Sequence, residues 1–185
     1  MTPETLRADA ARNRQKLLDA ASEQFAQCGT DASLEGVAKR AGVGIGTLYR
    51  HFPTREALVE AAYRNELTRV CESAEELLAE HPPDVALAEW MERYVVYMTA
   101  KRGMKAALQS MVASNSDLFT ESRRRLVAAI SELLEAGAKA GSLRPDADAE
   151  DVLRAMGAVW NTTDEEQARR VLRLLMDGLR YGASA

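Results

Sequence analysis

The twenty residues from Ala41 to Glu60, AGVGIGTLYRHFPTREALVE, restrict the fold more than any other part of the chain. A glycine-containing turn leads into a short segment of polar, glycyl and aromatic positions. That segment stops at Phe52-Pro53, and Thr54 is a good N-cap for a fresh helix. The string reads as the second half of a helix-turn-helix followed by the start of a long helix. A compact helix held across a second one by a tight turn is a known way to offer side chains to the DNA major groove. The string therefore points to regulation of transcription and away from enzymatic chemistry.

The rest of the chain has helical periodicity, with breakers between the helical stretches and almost no strand signal. The expected class is all-α with about nine helices. Helix one is expected from about Ala10 to Gln27, with Leu17, Ala21 and Phe25 on one stripe and Gly29 as the stop. Ser33 caps helix two, whose Leu34, Val37 and Ala38 share a face, and Gly42 ends it with positive φ. Helix three covers about Ile45 to Arg50. Helix four runs from Thr54 to about Glu80, where Pro82-Pro83 closes it. The remaining five are expected near 84–100, 104–113, 118–140, 150–160 and 164–181. The expected domains are 1–54, holding the helix-turn-helix, and 55–185, a helical effector-binding and dimerisation domain.

Charge is uneven. The chain carries a formal −4, yet residues 1–55 hold eight basic against six acidic side chains. DNA affinity depends on where positive charge sits and not on the total. Cys28 and Cys71 have no CxxC spacing and read as ordinary reduced thiols. No apolar run approaches the ~20 residues of a membrane helix, and the polar N-terminus does not resemble a signal peptide. These features lead us to expect a cytoplasmic protein. His51 and His81 are the only histidines and lie too far apart in sequence to form a local metal motif. No HExxH, GxSxG or P-loop occurs. No metal, cofactor or catalytic residue is expected, and a helical enzyme is the remote alternative.

Within the motif, Ala41 permits close approach, Val43 fills the angle between the helices, and Leu48 with Val37 secures both to helix one. Ile45, Gly46, Thr47, Tyr49 and Arg50 are left exposed or half-exposed. Apolar side chains there can touch thymine methyls, and Tyr can stack or hydrogen-bond. Thr47, Arg50 and His51 could meet phosphates, which set register without reading sequence.

The segment Thr30 to Tyr63, TDASLEGVAKRAGVGIGTLYRHFPTREALVEAAY, resembles the DNA-binding domain of the TetR (tetracycline-repressor-like) family. The likeness rests on the Ser that opens helix two, the Ala-Gly-Val turn, Gly-Thr-Leu-Tyr, the His-Phe step and the basic residue at helix four. It implies double-stranded DNA as partner. It implies base reading by Ile45 and Gly46, DNA contact by Thr47, Tyr49, Arg50 and His51, and phosphate contact by Ser33 and Arg55. Gly44 departs from the family, standing where a capping Ser is common. Glu35 lies where some relatives face DNA, but in the first turn of helix two it complements the helix dipole.

The resemblance also implies an apolar pocket for a small apolar or amphipathic effector. Its candidate lining is Trp90, Tyr94, Tyr97, Met98, Met104, Leu108, Met111 and Phe119, which would equally serve as ordinary core. It implies a homodimer through the last two helices, with Val152, Met156, Val159, Val171, Leu172, Leu175 and Leu179 at the interface. A ligand-responsive repressor on a palindromic operator follows. The alternative is a constitutive or partner-controlled regulator without a small-molecule effector.

Overall fold

The computed structural model describes residues 3–112, 116–157 and 164–183. Among these residues there are nine α-helices, one 3-10 turn (Gly29–Asp31) and no strand. The helices are α1 (Pro3–Cys28), α2 (Leu34–Arg40), α3 (Ile45–His51), α4 (Arg55–Glu80), α5 (Pro83–Gly103), α6 (Lys105–Val112), α7 (Ser116–Lys139), α8 (Ala149–Met156) and α9 (Glu165–Arg180). The all-α class is as expected. Helices α1 and α5 start and end further out than the periodicity suggested. Pro3 and Pro83 open them, and proline suits a first helical position because its fixed φ is already helical and no donor is needed there.

Packing divides the chain into two units. The first is Met1–Glu66 with Thr99–Ser114; the second is Leu67–Met98 with Asn115–Ala185. The expected boundary at residue 54 falls inside the first unit, because the opening turns of α4, the end of α5 and α6 pack with α1–α3.

In the first unit Leu17, Leu18, Ala21 and Phe25 of α1 are buried at helical spacing, together with Val37, Leu48, Phe52 and Leu58. Lys101 holds its ammonium 5.7 Å from the centre of the Tyr63 ring, and burial pulls its pKa down. Gly103 marks a close approach. A Cβ built there would lie 1.9 Å from the Phe25 carbonyl oxygen, so two backbones meet where no side chain fits.

In the second unit Trp90 is fully buried. Its indole N–H donates to the Val70 carbonyl at 2.7 Å, and its ring stacks on Tyr94 with centroids 5.9 Å apart. Asp148 caps α8 by accepting from the Glu150 and Asp151 N–H groups, and Asp164 caps α9 by accepting from Glu166. The Arg144 N–H donates to the Leu179 carbonyl at 2.8 Å and ties the loop before α8 to the last turn of α9. Ala168, Leu172, Met176 and Leu179 form the buried stripe of α9; Val152, Leu153 and Met156 form that of α8.

The two thiols differ. Cys28 is exposed and Cys71 half-buried. Burial pushes the Cys71 pKa from 9.0 up to about 11, against the pull of Arg125. Folding thus favours the neutral thiol. The stability this contributes is present below pH 9 and is lost as pH rises through about 11. Iodoacetamide at pH 8 is expected to label Cys28 in the native protein and Cys71 only after unfolding. Peptide mass spectrometry checks this, and equal native labelling of both would contradict it.

Candidate nucleic-acid interface

The interface is built from local chemistry. Ser33 is the N-cap of α2, and its Oγ accepts from the Gly36 N–H at 2.9 Å. At the other end the Gly42 N–H donates to Lys39 and the Val43 N–H to Ala38. This is the paired closure of a helix stopped by a left-handed residue, and Gly42 supplies it with φ +69°. The chain then turns sharply into α3. Gly44 is the N-cap of α3 in extended backbone and gives no side-chain hydrogen bond. Its carbonyl accepts from Thr47 and Leu48 instead.

Leu48 is fully buried and is the inward anchor of α3. The other faces of this seven-residue helix turn outward. Ile45 is 37% exposed and Tyr49 46%, which are high values for large apolar side chains beside a formed core. Gly46 and Arg50 are exposed, while Thr47 and His51 are half-buried. Tyr49 and Arg50 therefore do not belong to the fold's interior. Glu35 is exposed in the first turn of α2, the place where it complements the dipole.

Arg55 is placed differently from the rest. Its guanidinium donates to the Ala32 carbonyl at 2.5 Å and lies 5.4 Å from the centre of the Phe25 ring. The side chain is half-buried and joins the start of α4 to α1 and to the entry of α2. Any phosphate contact would have to use what that tether leaves over. Arg40 is likewise held by Glu23 and Gln27 of α1. Thr54 caps α4 by accepting from the Ala57 N–H.

Sequence reasoning missed Arg14. Its guanidinium sits 5.3 Å from the centre of the Phe52 ring, at the residue that ends α3. No local pattern links these two positions; only the packing of α1 brings them together.

The other candidate residues fall in both packing units. Trp90, Tyr94, Tyr97, Met98 and Phe119 belong to the second unit, and Met104, Leu108 and Met111 to the first. All those with described side chains are buried except half-buried Phe119; the Met111 side chain lies outside the described residues. Of the proposed interface set, Val152, Met156, Leu172 and Leu179 are buried within their own chain, at 4% or less exposure. The reason is that α8 and α9 need their apolar stripes for their own unit's core. Val171 and Leu175 are half-buried, and Val159 lies outside the described residues. The outward apolar position of α9 is Leu174, 73% exposed.

A short helix held outward by a tight turn, carrying apolar, aromatic and basic side chains, defines a helix-turn-helix DNA-binding protein. Comparison with known proteins agrees. Residues 17–62 match the family of bacterial regulatory proteins described as tetR. Residues 82–181 match the C-terminal domain described as that of SbtR-like transcriptional regulators. The crystal structure of the TetR transcriptional regulator SCO0520 from Streptomyces coelicolor shares 48% identity and a TM-score of 0.84, covering 92% of this chain and 99% of that one. A TetR transcription regulatory protein from Mycobacterium vanbaalenii shares 37% identity and a TM-score of 0.76, over 95% and 99% of the two chains. The HTH-type transcriptional repressor KstR2 of Rhodococcus jostii is 28% identical over 90% of each chain. The chain belongs to the TetR family of DNA-binding transcriptional regulators, which is not a family of enzymes. Among the described residues no helix is long and apolar enough to cross a membrane.

Proposed function

We propose that the protein is a ligand-responsive repressor that binds a palindromic operator as a homodimer. The observation that carries the DNA-reading part is the outward placement of Ile45 and Tyr49 on α3, where a core role is absent and a groove-reading role fits. Thr47, Arg50, His51 and Ser33 supply polar contacts around them, and Gly46 lets backbone approach the bases. Repression is favoured by the likeness to KstR2, a transcriptional repressor.

The dimer reading draws on the outer face of α8 and α9. Leu174 and Leu175 lie there beside the small residues Ala155 and Gly178, along a groove between the two helices, and Val171 stands one turn before Leu175 on α9. Two copies related by a two-fold axis would cover that surface and space two α3 helices for two half-sites. An apolar or amphipathic effector would release the operator only by binding the non-competent arrangement more tightly.

Trp90 bears on the alternative of a regulator without effector, since its N–H is already satisfied inside the chain and it serves as core. A thermal-shift series with apolar and amphipathic compounds separates the two readings, because a ligand that binds the native state raises the melting temperature by mass action. For the reading itself, Ile45→Ala is expected to relax base preference at one position of each half-site. Selection of bound duplexes from a random pool checks this, and a variant that selects the wild-type sites would remove Ile45 as a reader.

A further inference from the structure

The strongest unassigned feature of the first unit is the cationic side of α1. Arg12 pairs with Asp9, Arg40 with Glu23 and Arg64 with Glu60. Arg14 is exposed and is held by an uncharged ring, with its guanidinium 5.3 Å from the centre of Phe52. Stacking occupies the flat face of a guanidinium and leaves its N–H donors at the rim available. Phe52 closes α3 directly after the outward Arg50 and the half-buried His51. Arg14 is therefore posted at the end of the DNA-reading helix by a contact that does not consume its charge.

Arg7 lies one heptad earlier, exposed, on the same side of α1 to within about 20° and about 10.5 Å along its axis. That length is comparable with the rise of about three base steps. Among the described residues no carboxylate pairs with Arg7 or Arg14. Lys16, also exposed, stands about 200° round the helix from Arg14 and so faces the other way.

We propose that Arg14 and Arg7 form a phosphate-contacting edge on α1 that extends the DNA interface beyond the helix-turn-helix. The proposal rests on the DNA-binding reading of α3. It assigns these arginines affinity and register, not base selection. Arg14 also favours α3 structurally, since a cation suits the negative end of a helix, and the test must separate the two roles.

The test is the full-length protein titrated onto a fluorescein-labelled duplex of mixed sequence across a salt series, read by anisotropy, with thermal unfolding of each variant in parallel. Wild type is expected to show log K falling linearly with log salt. Arg14→Ala and Arg7→Ala should each flatten the slope by about one unit per bound protomer and weaken binding about eightfold per protomer at 0.1 M salt. Arg14→Lys should keep the slope, and Lys16→Ala should leave it unchanged. A slope untouched by Arg14→Ala and Arg7→Ala overturns the proposal, whatever their melting temperatures. So does a loss with Lys16→Ala equal to theirs, which would mean a general field and no local contact. Arg7 touches no described partner, so its variant answers even if Arg14→Ala loosens α3. A wild type that binds no duplex fails at the earlier step and removes the DNA-binding reading itself.

Discussion

Gly103→Ala is expected to unfold the first unit or come close to it. Helix propensity alone would favour alanine by about 1 kcal/mol. That gain is outweighed, because the new Cβ would lie 1.9 Å from the Phe25 oxygen and 2.4 Å from its carbonyl carbon. Both atoms are backbone and cannot swing aside. Either α5 lifts off α1 or α1 bends, and the buried neighbours Phe25, Met104 and Leu108 lose packing in either case. Overpacking against backbone is expected to cost about 3 kcal/mol or more. Urea denaturation followed by circular dichroism measures this. A variant within about 0.5 kcal/mol of wild type, the range of a neutral surface change, would show that the two backbones do not meet as described. Gly46→Ala is the matched control, since a Cβ there meets nothing within 4 Å.

The second large effect separates two neighbouring leucines of α9. Leu172→Glu places a carboxylate where the side chain is 3% exposed inside its own chain. A buried, unpaired charge is expected to cost about 4 kcal/mol or more, so the helical signal and cooperative unfolding should collapse together. Leu174→Glu changes a side chain that is 73% exposed. The proposed dimer predicts a different outcome there: a folded helical chain that light scattering finds as a monomer. An intact Leu174→Glu dimer would remove this face of α9 from the interface. A stable, folded Leu172→Glu would contradict the burial of the α9 stripe.

Local chemistry made much of the DNA-reading unit legible in advance. Ser33, Gly42 and Thr54 act through neighbours within a few residues, by capping or by positive φ, Leu48 by its position on a short helix, and each does what its residue type requires. The limits appear where a role depends on distant packing. Arg55 is basic and stands at a helix start, which suggests a phosphate; only the fold shows it turned onto Ala32 and Phe25. Arg14 gave no signal, because its partner Phe52 lies far along the chain, just past the end of α3. The resemblance implies an interface role for Leu172, but sequence alone does not say whether the same chain or a second copy covers an apolar side chain of α9; Leu172 is buried within its own chain and Leu174 is exposed. The aromatic and methionine set around Trp90 was likewise readable as apolar but not as divided between two packing units.

Three ties hold the reading helix in place. Arg40 binds α2 to α1, Leu48 plants α3 in the shared core, and Arg55 binds the start of α4 to Ala32 and to Phe25 of α1. Held at these three points, α3 is expected to move with its unit. A signal arriving at this unit would then relocate the reading surface more than it reshapes it. Choice of bases and strength of binding then become separable traits. Substitutions on the outer side of α3 would tune the first, and whatever moves the block as a whole would tune the second.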